Sequence, residues 1–352
     1  MDYRGEAQRH KGTETQRDKG KGEWKKKLME IIFGPLSTRR LGMSLGIDLV
    51  PAKTCNMNCI YCECGATTHL TNDMIPDITP AMIAEELHSK IGRIADADYI
   101  TLTASGEPTL NPFLDDIIAM LNKMTAKPLA LITNASLLYK KEIREKIRTI
   151  DVVLPSLDAA TRKTFKTINK PHNELKIENI IDGIKALCES DTNSQNDNPA
   201  VWLEIMLAKN INDNSKDIEK LKEAVHFIKP QKLQLNTPVR PGTSPKAIAL
   251  SREELIIIGN QFDYPYELLS CSCSISCLPP AASSYKAQQV TPDSILFVID
   301  ILERRPMTFD HLKHSSGLDF HRLSSIIHYL LASDKIQKIL QNNEVYYFIN
   351  HS

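Results

Sequence analysis

The amino-acid sequence predicts an α/β protein with a parallel sheet, followed by a small second domain at the C-terminus. Two patterns carry that prediction. Between residues 44 and 260, short apolar, β-branched runs alternate with longer segments of helical period. From residue 292 the alternation stops, and three helical segments and a hairpin follow. A chain of 352 residues has room for both parts, since a domain takes roughly 150 residues.

Strands are expected at 44–50, 99–103, 128–133, 152–157, 201–207 and 232–236. Helices are expected at 80–94, with Thr79 as N-cap, and at 112–124, 138–148, 175–189, 214–227 and 252–260. The stretch DTNSQNDNP at 191–199 reads as a polar loop. Strands separated by helices of this length imply right-handed βαβ crossovers and a parallel sheet. Six strands are too few to close an eight-stranded barrel, so an open partial barrel and a doubly wound sheet both fit. Beyond it, helices at 294–305, 308–315 and 319–332 precede strands at 335–340 and 344–349 that turn at 341–343. That order resembles a winged-helix domain. The predicted boundaries are a disordered polar tail at 1–27, the α/β domain at 28–260, a cysteine-containing linker at 261–290 and the small domain at 291–352.

Lys+Arg and Asp+Glu are both 43, so no global field draws the chain to nucleic acid or to an anionic membrane. The excess positive charge of the tail, nine basic against five acidic residues, is local. No apolar run reaches the ~18–20 residues of a membrane span, and the charged N-terminus offers no secretory signal. The expected location is the cytoplasm. Eight cysteines are not expected to form structural disulfides there.

Three of them, Cys55, Cys59 and Cys62, form C-x3-C-x2-C in the loop after the first expected strand. Thiolates at that spacing can wrap one metal centre from a single loop. A [4Fe–4S] cluster wants a thiolate on each iron, so three cysteines leave one iron open to a substrate or cofactor. Zinc, closed by Cys64 or His69, and free thiols are the alternatives.

The stretch FGPLSTRRLGMSLGIDLVPAKTCNMNCIYC resembles the radical S-adenosylmethionine (SAM) enzymes, in particular the branch that includes wyosine-synthesis proteins. The triplet matches that family's cluster motif, and Tyr61 stands at its aromatic position. Ser105-Gly106-Glu107-Pro108 resembles the family's GGEP-type motif, with Ser in place of the first Gly; Glu107 and the turn's carbonyls would accept from the SAM ammonium. Asn134 stands in Thr133-Asn134-Ala135, where the family often has Thr-Asn-Gly, and Ser156 with Asp158 lies where the family contacts ribose or substrate. Glu204, Lys209, Asn210, Asn236 and Arg240 are weaker candidates at later strand ends. All share one address, the C-terminal ends of parallel strands, where such folds bind ligands.

The resemblance implies a partial (β/α)6 radical SAM barrel carrying a [4Fe–4S] cluster on Cys55, Cys59 and Cys62. It implies SAM on the open iron, a 5′-deoxyadenosyl radical, and a low-potential electron donor such as a ferredoxin or flavodoxin. The substrate, an RNA or a peptide among others, is left open. The competing reading is a zinc- or cluster-stabilised nucleic-acid-binding regulator. Cys271, Cys273 and Cys277 form a second group, C-x-C-x3-C, read as a candidate auxiliary Fe–S cluster, with zinc or unliganded thiols as alternatives. The wyosine branch places extra cysteines before its main motif, whereas this chain has none before Cys55. The winged-helix-like domain is expected to contact nucleic acid or protein, or to cover the substrate. Its third helix offers only His321, Arg322 and His328, flanked by Lys335 and Lys338.

Overall fold

The six expected strands are present, and they lie side by side in the expected order. The structure, a computed structural model, describes residues 30–189, 198–269, 291–342 and 344–350. The expected tail at 1–27 and most of the expected linker, with Cys271, Cys273 and Cys277, lie outside the described residues.

In chain order the elements of the first part are β1 (Ile32–Thr38), β2 (Gly42–Asp48), β3 (Thr54–Cys55), β4 (His69–Leu70), α1 (Pro80–Ser89), α2 (Ile91–Ala95), β5 (Tyr99–Thr103), α3 (Leu114–Met124) and β6 (Leu129–Thr133). Next come α4 (Lys141–Lys146), β7 (Val152–Pro155), α5 (Arg162–Ile168), α6 (Ile177–Cys188), β8 (Ala200–Met206), α7 (Ser215–Ile228), β9 (Lys232–Asn236), α8 (Arg252–Gly259) and β10 (Tyr266–Leu268). The sheet order is β1-β2-β5-β6-β7-β8-β9-β10. Every neighbouring pair is parallel except β1 with β2, so the sheet is an open, partial-barrel array rather than a closed ring.

Both edge strands were unforeseen. Gly34-Pro35 breaks the apolar pattern of β1, and its register with β2 shifts between Phe33 and Leu36. β10 is only 3 residues long. The helix expected at 80–94 is divided at Lys90, whose ammonium donates to the Ile32 carbonyl at 2.7 Å and to Glu86 at 2.6 Å. α5, capped by Thr161 through its 3.2 Å bond from Thr164 N, was not expected either.

Strand residues alternate between the two sides of a sheet. Leu45, Ile47, Ile100, Leu102, Leu129, Leu131, Val153, Val201, Leu203, Leu233 and Leu235 are buried in one core with the inward stripes of the helices, among them Ile117, Leu121, Ile184, Leu221 and Val225. The intervening residues form the other side: Ser44, Asp48, Thr101, Glu204, Gln234 and Asn236 are all buried there although polar. Leu41, in the β1–β2 turn, packs on Ala130, Val152 and Leu154 of that side.

The C-terminal elements are α9 (Pro292–Arg304), β11 (Met307–Thr308), α10 (Phe309–Ser316), α11 (Phe320–Ala332), β12 (Ile336–Gln341) and β13 (Glu344–Ile349). The three strands form a sheet of order β11-β13-β12. Val298, Leu302, Leu312, Leu323, Ile326 and Leu330 make a separate core there. The unit also grips the barrel. Arg304, 6% exposed, pairs with Asp48, and its guanidinium lies 4.0 Å from the centre of the Phe33 ring. In the turn between β12 and β13, Asn342 donates to the Val239 carbonyl at 3.1 Å.

Candidate functional site

The cysteine loop leaves β2 and is clamped on three sides. Below it lies the Ser105–Pro108 turn. Lys53 N donates to Ser105 O at 2.6 Å and Glu107 N to Thr54 O at 3.1 Å. A Cβ built on Gly106 would stand 1.8 Å from Thr54 O, so only glycine lets the two segments meet. Beside it runs the loop after α5: Asn58 N donates to Asn169 O at 3.0 Å and Ile60 N to Ile168 O at 2.9 Å. Across it lies a strap after β9. Thr243 Oγ1 donates to Cys59 O at 2.9 Å, Ser244 N to Ile60 O at 3.0 Å, and a Cβ on Gly242 would meet Tyr61 Cα at 2.7 Å.

Cys55, Cys59 and Cys62 are all partly buried and carry free thiols. Three N–H groups point at two of the sulfurs: Met57 N at 3.4 Å and Asn134 Nδ2 at 3.6 Å from Cys55, and Asn169 Nδ2 at 3.4 Å from Cys59. Such donors favour thiolates, yet burial pushes both thiols up to about 12, with Glu107 adding to the effect at Cys55 and Asp158 at Cys59. A cationic metal centre resolves that conflict by displacing the protons. N–H bonds to sulfur are also what tunes an iron–sulfur centre. The residues present therefore fit such a group. The zinc alternative needs a fourth ligand: His69 is exposed on β4, whereas Cys64 lies beside Cys62.

Glu107 is 1% exposed. Its Oε1 accepts from Thr109 N at 3.0 Å, Thr109 Oγ1 at 2.6 Å and Thr133 Oγ1 at 2.6 Å; its Oε2 accepts from Asn134 N at 2.8 Å. Burial raises its pKa against these donors. In this structure the carboxylate binds the end of β5 to the end of β6, while the carbonyls of Ser105, Glu107 and Pro108 accept from Lys53 N, Leu110 N and Asn111 N. Pro108 opens the short turn Pro108–Leu110 behind it. Ser105 N donates to Asp48 Oδ1 at 3.0 Å. Asp48 Oδ2 takes Arg304. One buried carboxylate thus joins the Ser105–Pro108 turn to the C-terminal unit.

Tyr61, Asn134 and Ser156 line one pocket with Met57, Asp158 and Asn169. Asp158, 2% exposed, is its hub. It accepts from Tyr61 OH, from Asn169 Nδ2 at 2.7 Å and from Met206 N at 3.0 Å. Burial pushes its carboxyl up to about 6 despite those donors. Asn134 holds Asn56 Oδ1 at 2.8 Å and accepts from Ser136 N at 2.9 Å. Ala135 adopts φ 62°, the left-handed conformation that a glycine would take without strain. The weaker candidates go elsewhere. Glu204 pairs with Arg40 and accepts from Asn236 Nδ2 at 2.7 Å. Lys209 pairs with Glu254 at 2.5 Å, Asn210 is exposed, and neither lines the pocket. Arg240 pairs with Glu63 at 2.7 Å. Asp48, Asn169 and Gly242 were missed, since nothing local in the sequence marks them.

A partial-barrel sheet with a three-thiol loop at its strand ends defines a class of metal-dependent α/β enzymes. The sequence profile of the Radical SAM superfamily matches residues 49–224, half of the chain, and the chain belongs to that superfamily. It is 34% identical over 215 residues to the UPF0026 protein MJ1312 of Methanocaldococcus jannaschii, covering 60% of this chain and 65% of that one. It is 30% identical over 289 residues to a UPF0026 protein of Helicobacter pylori, covering 80% and 87%. A 33% match over 322 residues to a Brachyspira hyodysenteriae protein named GTPase Obg covers 91% of this chain but 45% of that protein. The chain thus spans under two-thirds of the length of the first and third of these relatives. Among solved structures, TYW1 with a lysine-pyruvate adduct aligns at TM-score 0.46 and 21% identity, covering 66% of this chain and 75% of that one. A radical SAM methyltransferase from Sphaerobacter thermophilus aligns at 0.49 and 15%, covering 64% and 66%. Among the described residues no helix is long and apolar enough to cross a membrane.

Proposed function

We propose that the protein is a cytoplasmic radical SAM enzyme whose cluster is held by Cys55, Cys59 and Cys62 and whose SAM lies in the pocket of Tyr61, Asn134 and Ser156. The observation that carries this reading is that pocket: three residues from three separate segments meet at the strand ends beside Cys55 and Cys59. When bound, the cluster supplies one electron to the sulfonium of SAM, yielding methionine and a 5′-deoxyadenosyl radical that takes a hydrogen atom from the substrate. The chain supplies the rest. Asn134 and Asn169 donate to the thiolates. Of the Ser105–Pro108 turn, the Gly106 carbonyl accepts from an ammonium, the other three already taking backbone N–H groups, and Glu107 fixes that turn against β6. Asp158 orients Tyr61 and Asn169. The low-potential electron comes from a donor such as a ferredoxin or flavodoxin.

The C-terminal unit, read as a winged helix, serves in this scheme to cover the barrel, a reading supported by Arg304 on Asp48 and Asn342 on Val239. The test is Cys59→Ala in protein reconstituted without oxygen. The variant is expected to lose the cluster's visible absorption and to cleave SAM at background rate. Cleavage at the wild-type rate, or tight stoichiometric zinc in colourless wild-type protein, would overturn the reading.

A further inference from the structure

Two parts of the chain, each with its own core, meet at Asp48. Asp48 ends β2 and is 3% exposed. Its Oδ1 accepts from Ser105 N at 3.0 Å, and its Oδ2 pairs with Arg304, the last residue of α9. Among the described residues no other cation pairs with Asp48. Arg304 does have a second carboxylate, Asp300 of its own helix, at 3.6 Å. Lifting the C-terminal unit would therefore leave Arg304 with Asp300, but Asp48 with a single N–H group. A buried carboxylate stripped of its cation is costly, so the barrel has the larger stake in this contact.

From Asp48 the contact runs straight into the Ser105–Pro108 turn. Ser105 is gripped at both ends of its backbone, its N–H by Asp48 and its carbonyl by Lys53 N at 2.6 Å. Gly106 follows with no slack, since a Cβ there would run into Thr54 O and stand 3.1 Å from Val50 Cγ2. Glu107 N is tied to the same Thr54 carbonyl at 3.1 Å. A segment packed this closely cannot absorb a shift of Ser105, and the next carbonyl, that of Gly106, moves with it. The far end of the contact is equally fixed. The Arg304 guanidinium lies 4.0 Å from the centre of the Phe33 ring. That ring covers Gly46, two residues before Asp48, so closely that a Cβ on Gly46 would run into it. Arg304 is thus both paired and stacked on the end of β2.

We propose that Arg304 is a positioning residue for the SAM site: it acts through Asp48 and Ser105 on the Gly106 carbonyl, so that seating of the C-terminal unit and binding of SAM favour each other. Calling the ligand SAM rests on the radical SAM reading. Coupling of this kind is reciprocal, so whatever the seated unit adds to SAM affinity, bound SAM adds to the seating.

The test is hydrogen exchange of the full chain, reconstituted without oxygen, with and without saturating SAM. It is read at α9, with α3 as the reference for global opening. In the wild type, SAM is expected to slow exchange in α9 relative to α3 by at least about fivefold, the lower end of ordinary coupling. Arg304→Met combined with Asp48→Asn strands no charge and keeps an amide oxygen for Ser105 N. There the slowing is expected to fall below about twofold, and labelled SAM in equilibrium dialysis to bind more weakly than in the wild type. Asn342→Gly removes a second bond between the unit and the barrel, at a φ of 50° that glycine adopts freely. Its slowing is expected to match the wild type, because it leaves Asp48 untouched. Bound SAM without slowing in the wild type, full slowing in the double variant, or an equal loss in Asn342→Gly would overturn the inference. If the double variant fails to fold, Asp48→Asn alone decides: it is expected to lose at least half of the slowing, and full slowing there would overturn the inference. Wild-type protein that holds its cluster but binds no SAM would overturn the proposed function along with the coupling. SAM bound and cleaved with α9 unaffected would overturn the coupling alone.

Discussion

The two sides of the sheet solve opposite problems. On the helix-covered side, Leu45, Ile100, Leu131, Leu203 and Leu235 need only be apolar and of the right size. On the other side, Ser44 meets Thr101, Asp48 meets Arg304, and Glu204 meets Arg40 and Asn236. There each polar group is tolerated because one particular partner, remote in sequence, reaches it. The first side sets stability in graded steps. The second is all-or-none, because losing one partner strands the other, and it is the side that carries the site.

The largest effect expected from this contrast is at Arg304. Arg304→Met leaves Asp48 as an uncompensated buried carboxylate and should cost about 3–5 kcal/mol of stability in urea melts. Arg304→Met combined with Asp48→Asn should recover most of that loss, because an amide oxygen still accepts from Ser105 N. A double variant no more stable than the single would break the contrast. Leu203→Ala, on the apolar side, should cost about 2–5 kcal/mol by leaving a cavity. It should still take up iron and sulfide as the wild type does; failure to do so would show that the two sides are not separable.

Asp158 sharpens the comparison with pH. Its folded-state pKa of about 6 lies above the ordinary 3.8, so between about pH 4 and 6 the native state holds the extra proton. Stability of the metal-free chain should therefore fall as pH rises through that window, by roughly 2–3 kcal/mol. Asp48 is raised to about 6 as well, so in Asp158→Asn that slope should fall by about half rather than vanish, as read from urea midpoints at half-unit pH steps; an unchanged slope would place the titration elsewhere. The smallest effect is at the rim. Ala135→Gly removes the strain of φ 62° and should stabilise by up to about 1 kcal/mol, raising the melting temperature slightly, whereas a clear drop would mean that the methyl packs usefully in its fully buried place.

The same contrast explains what could be read from residues alone. The apolar side writes itself into the chain as runs such as Leu129–Thr133 and Val152–Pro155, so all six central strands were legible. Cys55, Cys59 and Cys62 were legible because one short loop holds all three. The pairing of Asp48 with Arg304 joins residues 256 apart, and Asn169 gains its place only when the loop after α5 folds against Cys59. No local pattern announces either. β1 escaped because Gly34-Pro35 interrupts it, and α2 because one helical period runs through the break at Lys90. The left-handed turn at residue 135 survives with alanine because Thr133 Oγ1 accepts from Ala135 N at 3.1 Å and holds it there.

The span of 256 residues between Asp48 and Arg304 also sets an order of events on the ribosome. At the ordinary pace of synthesis, about 5–20 residues per second, the helix that caps Asp48 emerges on the order of 10–50 s after the strand bearing it. For that interval the nascent barrel has its thiol loop but not its arginine clasp. During it, Asp48 has Ser105 N as a partner and still awaits its guanidinium.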